Sequence, residues 1–287
     1  MVPKLSKQCE VLRRLCLTRI ETARTALAAS APGDTAIHRA RQHVKRARAL
    51  LHLLRDALGK ERVLEASHAL RDVNRALAGT RDAAVLAGLL VTIADDAGVA
   101  RRDVRSLQTR FEREVDRRRA GLSAAGARRS LAAVVAALNA TPMAAPGAAV
   151  LGGFLRIYRN GRRGYAAAMA SPRAAPLHAW RKHVTRYWYV LEVLSPANPR
   201  LLRPLAREAH RLAELLGDHN DRSLLATRVR RASLPPPVER ALLRVLASQC
   251  ATLRTDALAV GARLYGPPPK RIAGPVEAWW KEWPGPE

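Results

Sequence analysis

The sequence predicts an all-α protein, and three observations carry that prediction. Ala and Leu dominate a chain that is 48% apolar but only 4% aromatic, a composition that favours helix over sheet. Apolar residues recur at steps of three and four along segment after segment. Gly, Pro, Ser and Asp interrupt those segments at helix-length intervals.

The elements follow in order. An amphipathic helix over residues 5–29 ends before the turn Ala31-Pro32-Gly33-Asp34. Asp34 or Thr35 caps the next helix, which runs to residue 58 and stops at Gly59. A third covers 60–77 and ends at Gly79; Thr80 or Asp82 caps a fourth, 83–97, which stops at Gly98. A long charged helix spans 99–119 and a shorter one 128–139. Residues 141–146, with Pro142 and Pro146, form the best internal boundary. Beyond it, helices are expected over 150–169, 174–194, 201–216, 221–232 and 238–264, separated by Ser171-Pro172, Pro196–Pro199, Gly217 and Pro235-Pro236-Pro237. Residues 266–287, rich in Pro and Gly, hold Trp279, Trp280 and Trp283; they form a tail, better read as a strap docked on the bundle than as free coil.

The two halves resemble copies. His38-x-x-Arg41 recurs as His178-x-x-Arg181 140 residues later, and Leu77-Ala-Gly-Thr-Arg-Asp82 recurs as Leu216-Gly-Asp-His-Asn-Asp221 139 residues later. A basic helix precedes each His-x-x-Arg helix, with Arg13 and Arg19 in the first half and Arg156, Arg159 and Arg163 in the second. The expected architecture is therefore two duplicated antiparallel helical bundles, residues 5–140 and 147–265, related by a pseudo-two-fold around a basic central groove.

Charge narrows the function. There are 50 Lys+Arg against 24 Asp+Glu, a formal +26 and a pI near 11.5. Such self-repulsion costs stability until an anion neutralises it, which points to nucleic acid, an acidic membrane surface or inorganic polyphosphate. Arginine-rich genome composition would scatter these charges; here they fall in stripes. His38, Arg41, Lys45, Arg48, His52 and Arg55 step by three and four along one helix, within an arc of roughly 100°. Beside them runs the core stripe Ala40, Val44, Ala47, Leu51, Leu54 and Leu58. A solvated face ordinarily mixes in carboxylates, and this arc has none. Arg offers a planar fork for phosphate oxygens, Lys a point charge, and imidazole a donor that strengthens on acidification.

Weaker stripes are His68, Arg71 and Arg75, and Arg200, Arg203, Arg207 and His210. Residues 101–119 interleave Asp103, Glu112, Glu114 and Asp116 and read as a salt-laced exposed helix. In the second copy, Thr185, Trp188 and Glu192 stand where the first has Lys45, Arg48 and His52, and Trp188 reads as a packing residue. Asp82 and Asp221 read as caps or ion-pair partners rather than catalytic carboxylates.

Several classes find no support. Cys9, Cys16 and Cys250 make no disulfide framework, and Cys9 and Cys16, seven apart, read as core. The first twenty residues carry Lys4, Lys7, Arg13, Arg14 and Arg19, unlike a signal peptide. Prolines break the apolar stretch 131–155, so no membrane insertion is expected and the chain reads as soluble and cytoplasmic. No His-x-x-x-His, Cys-x-x-Cys or His-Glu-x-x-His marks a metal site, and no phosphate loop marks a nucleotide enzyme.

At the two basic helices the chain resembles the CHAD family, the conserved-histidine α-helical domains. The family pattern, roughly His-x-x-Arg-x-x-x-Lys/Arg-Arg-x-Arg, is met by His38-x-x-Arg41-x-x-x-Lys45-Arg46-x-Arg48 and, with departures at Thr185 and Trp188, by His178-x-x-Arg181-Lys182-x-x-Thr185-Arg186. Gly79-x-x-Asp82 and Gly217-x-x-Asn220-Asp221 match its later Leu-Gly…Asp segments. The resemblance covers about residues 5–265; the tail has no counterpart in it. It implies a stand-alone helical domain of two related bundles that binds inorganic polyphosphate without catalysis or cofactor, with association to polyphosphate granules one cellular setting. The expected lining is Arg13, Arg19, His38, Arg41, Lys45, Arg46, Arg48, His52 and Arg75 from the first half, and Arg156, Arg159, Arg163, His178, Arg181, Lys182, Arg186 and Arg207 from the second. Two rivals stay open: a nucleic-acid binder, nucleic acid otherwise being a weaker competitor, and a phosphohydrolase using His38 or His178.

Overall fold

A computed structural model describes residues 2–29, 31–143 and 148–282, which form twelve helices and no strand. They are α1 (Val2–Ala26), α2 (Asp34–Leu53), the single turn α3 (Arg55–Leu58), α4 (Lys60–Ala76), α5 (Gly79–Asp96), α6 (Arg101–Ala120), α7 (Ala124–Asn139), α8 (Ala148–Ala170), α9 (Ala174–Leu194), α10 (Pro199–Arg230), α11 (Pro236–Tyr265) and α12 (Pro269–Glu282). The all-α class follows from the periodicity above. Residues 144–147, Trp283 and the side chains of Lys4, Lys7, Asp82, Trp279 and Trp280 lie outside what is described.

α1, α2, α4 and α7 pack together, as do α8, α9, α10 and α11, and one hydrophobic core runs through both groups. Cys9 and Cys16 are buried in it and form no disulfide. The second group is centred on a knot of fully buried rings, Tyr158, Trp180, Tyr187 and Tyr265, with neighbouring centroids 5.6–6.3 Å apart. The groups meet where α2 packs on α8 and α9. Gly153 makes that junction possible: a Cβ there would lie 2.0 Å from the Leu53 carbonyl oxygen.

α5 and α6 pack chiefly on each other and on the second half, and α5 meets α2 only at a narrow contact. They form a separate cluster with α10 and α11, in which Leu90, Ile93 and Phe111 meet Leu225, Val229 and Leu242. Arg119 ties α6 back to the start of α2 through Asp34 at 2.8 Å.

Three local expectations give way. α2 stops at Leu54, where ψ is 7°, and the chain resumes as α3 before the positive-φ Gly59 (89°). Gly217 does not end a helix: α10 runs unbroken for 32 residues. Arg181 lies beside the glycine, its guanidinium 3.4 Å from where a Cβ would stand, an ordinary contact. The tail residues 269–282 form a helix, α12, that packs on α8, and Ile272 reaches the core. Among the described residues no helix is long and apolar enough to cross a membrane.

Candidate anion-binding site

Because α2 is amphipathic, its apolar stripe goes to the core and its cations are left at the edges of the contact with α9. The packing divides the basic residues between two sides. On one side, Gln42 donates to His38 Nε2 (2.7 Å) and accepts from Arg46 (2.9 Å). Arg46 also forms a two-pronged pair with Glu192, Nε and Nη2 each 3.1 Å from a carboxylate oxygen, and lies over the Tyr189 ring at 5.0 Å. This strut joins α2 to α9. Arg19 of α1 and His43 are on this side, where Arg19, Arg46 and Arg39 add to burial in holding the imidazole below its ordinary pKa.

The other side is built from Arg48, His52 and Arg186. Ser67, buried on α4, accepts from Arg48 Nε at 3.4 Å and lies 3.4 Å from His52 Nε2. Burial, then the neighbouring Arg48, push the Arg186 guanidinium down to about 10. Burial and then Arg71 lower Arg48 in turn. Burial, followed by Arg186, Arg48, Arg156 and Arg55, drives His52 down to about 3, so its ring is neutral at pH 7. Among the described residues no carboxylate pairs with Arg48 or Arg186. Asp72, the acid that acts on Arg48, is shared between Arg71 (3.5 Å) and Arg75 (3.4 Å). Like charges from two helices are thus held together, partly buried, with no carboxylate paired to either among the described residues. Such an arrangement attracts anions by electrostatics.

The remaining expected residues are spread more widely. Arg156 joins α8 to the cluster's floor, chelating Asp56 (2.9 and 2.7 Å) and donating to the His52 carbonyl (3.2 Å). Arg159 and Arg163 are exposed along α8 and line a cleft beside it; Arg163 bonds Asn160. Arg163 also acts on His183, together with Arg186. Lys45 is half-buried on α2 and Lys182 exposed on α9. Arg41 is buried and donates to the Ala78 carbonyl at 3.3 Å. Arg181 lies against α10 at Gly217. His178 bonds Asn220 through Nδ1 (2.7 Å), and Asn220 in turn bonds Asp221 (3.1 Å). Arg13 is not brought to the cluster: it donates to Thr141 O (3.1 Å) and Leu138 O (3.5 Å) at the end of α7 and pairs with Glu10. Arg75 and Arg207 are exposed on α4 and α10.

Residues outside the expected set complete the site. Ser67 interrupts the apolar stripe Val63, Ala66, Leu70, Val73 of α4, and that interruption is a signal the sequence offers. Glu192 and Asp56, which take up Arg46 and Arg156, have no local signal, because their partners lie 146 and 100 residues away. Trp188 packs, as its position suggests, stacked on His210 (4.1 Å) and Tyr189 (4.5 Å). Among the described residues no three His, Cys, Asp or Glu side chains are grouped to hold a metal ion.

Comparison with known proteins now bears on this site. Residues 13–230 match the family model of the CHAD domain. Of the solved structures, PptA from Streptomyces chartreusis is similar with a TM-score of 0.70 and 18% identity, covering 91% of this chain and 99% of that one. The CHAD domain from the plant Ricinus communis is similar with a TM-score of 0.61 and 19% identity, covering 91% and 92%. No curated protein gives a significant match.

Proposed function

Because this chain belongs to the CHAD domain family, we propose that it binds inorganic polyphosphate, and that it holds the polymer without hydrolysing it. Arg48 and Arg186 grip the chain of phosphates at the junction of α2 and α9, with His52 beside them. Lys45, Arg71, Lys182 and Arg163 extend the positive lining on either side. His38 and His178, each oriented by an amide, add hydrogen bonds at the margins.

One observation carries the reading: Arg48 and Arg186 act on each other, half-buried, with no carboxylate among the described residues to pair them. A narrow, flexible chain with one charge per repeating unit suits such a recess better than a stiff duplex, whose phosphates lie on a wide cylinder. Base stacking, the other route to nucleic acid, needs an open aromatic platform. Trp188 offers none, being stacked on His210 and Tyr189. The reading puts the protein in the cytoplasm.

Calorimetric titration with long-chain polyphosphate over a series of salt concentrations tests it. Affinity falls steeply with salt as counterions are released. Arg48→Glu and Arg186→Glu each weaken binding at least about tenfold, a change of about 1.4 kcal/mol. Equal competition by duplex DNA, or unchanged affinity in both variants, overturns the proposal. Steady phosphate release with Mg²⁺ or Mn²⁺ that disappears in His38→Ala or His178→Ala overturns the non-catalytic part.

A further inference from the structure

Beside α8 lies a cleft of about 1220 Å³ whose chemistry changes along its length. Its other walls are Asp56 of α3 and the segment joining α11 to α12, where Tyr265, Gly266 and Pro269 stand. Along α8 the cleft is lined first by Arg159, Arg162 and Arg163, then by Tyr165, Ala166, Met169 and Ala170. At the helical rise these are about 6 Å of cationic surface followed by about 7 Å of apolar surface. Asp56 brings no free negative charge, being chelated by Arg156. Arg162 donates Nε to the Tyr265 carbonyl (3.1 Å), which leaves its terminal nitrogens to the cleft. Among the described residues no carboxylate pairs with Arg159, Arg162 or Arg163. Met169 is 52% exposed, a large apolar side chain.

An unbranched string of phosphates has no use for the apolar half. We infer that this cleft binds a nucleoside polyphosphate, with its phosphates on Arg159, Arg162 and Arg163 and its nucleoside against Tyr165, Ala166 and Met169. The cleft is large enough for such a ligand, its volume of about 1220 Å³ lying just above the range of about 300 to 1,000 Å³ of ordinary small-molecule pockets. Small side chains keep the apolar half open: Ala166 and Ala170 line it where larger residues would fill it. The site shares Arg163 with the flank of the polyphosphate lining but does not rest on that reading, because its specificity comes from the apolar end.

Calorimetric titration of the full chain with ATP and with inorganic tripolyphosphate decides it. ATP binds at least about tenfold more tightly, the excess coming from the buried nucleoside. Met169→Asp, an exposed change that leaves the core alone, removes that excess and leaves long-chain polyphosphate binding intact. Arg48→Glu leaves ATP binding intact. ATP binding no tighter than tripolyphosphate, no effect of Met169→Asp, or loss of ATP binding in Arg48→Glu each overturns the inference. Long-chain polyphosphate binding without a preference for ATP sinks this site alone; ATP binding without polyphosphate binding sinks the proposed function alone.

Discussion

Arg186→Met makes the ligand-free protein more stable and the ligand-bound protein weaker. Arg186 sits against Arg48 and is mostly removed from water, which pushes its guanidinium from 12.5 to about 10. At about 1.4 kcal/mol per tenfold change, the charge costs the folded state about 3 kcal/mol. Because the folded value is the depressed one, that cost is present in full at every pH below about 10, including pH 7. Methionine keeps the aliphatic packing of the arginine stem and carries no charge. Part of the gain is lost to a poorer fit and to solvent that already relieved the arginine. The expected net gain is about 1–2 kcal/mol, a rise of roughly 3–6 °C in Tm for a chain of this size. Thermal unfolding at low ionic strength measures it, with and without long-chain polyphosphate. The unmodified protein is stabilised by ligand according to its affinity, and Arg186→Met loses most of that increment. A lower Tm in the ligand-free variant, or an undiminished response to polyphosphate, refutes the reasoning.

Three further outcomes follow from the same geometry. His52 is neutral in the free protein, held at about 3 by burial and by Arg186, Arg48, Arg156 and Arg55. Its depressed value makes stability rise with pH between about 3 and 6.5 and reach its full level above that. A bound anion offsets those cations and raises the imidazole, so polyphosphate binding takes up protons and tightens from pH 7 to 5; titration in buffers of different ionisation enthalpy measures the uptake, and His52→Gln reduces it, the remainder belonging to His178 and His183. Glu192→Gln strips Arg46 of its counter-ion and costs about 1 kcal/mol in urea unfolding, modest because the carboxylate is part-exposed; a double-mutant cycle with Arg46→Gln returns the coupling. Gly217→Ala stabilises α10 by about 0.5–1 kcal/mol, since its Cβ meets only the movable end of Arg181, whereas Gly153→Ala forces α8 off the Leu53 carbonyl and costs about 3 kcal/mol; a loss in the first or none in the second contradicts the packing described.

Much of this protein is legible locally. Residues 174–194 and 60–77 were readable as helices to within a residue, because apolar spacing and the flanking Pro or Gly act within a turn or two of chain. Gly217 misleads for the same reason: as a letter it is a helix stop, and only the packing of α10 against α9 and α11 carries the helix through it. The pro-rich tail misleads likewise, since Pro269 stands at the first position of α12, where a missing amide costs nothing.

The site divides along the same line. That α2 carries a core stripe beside an unbroken row of cations is a property of 3.6 residues per turn, fixed before any other helix is placed. The repeat expected from the sequence aligns Arg46 with Arg186 and Arg48 with Trp188. The packing of α2 on α9 instead gives Arg46 to Glu192 and brings Arg48 to Arg186. Periodicity is local, so the sequence by itself determined the helices, their faces and the surplus of positive charge. Which cations are neutralised and which are left to face one another depends on side chains more than a hundred residues apart, and only the tertiary structure decided that.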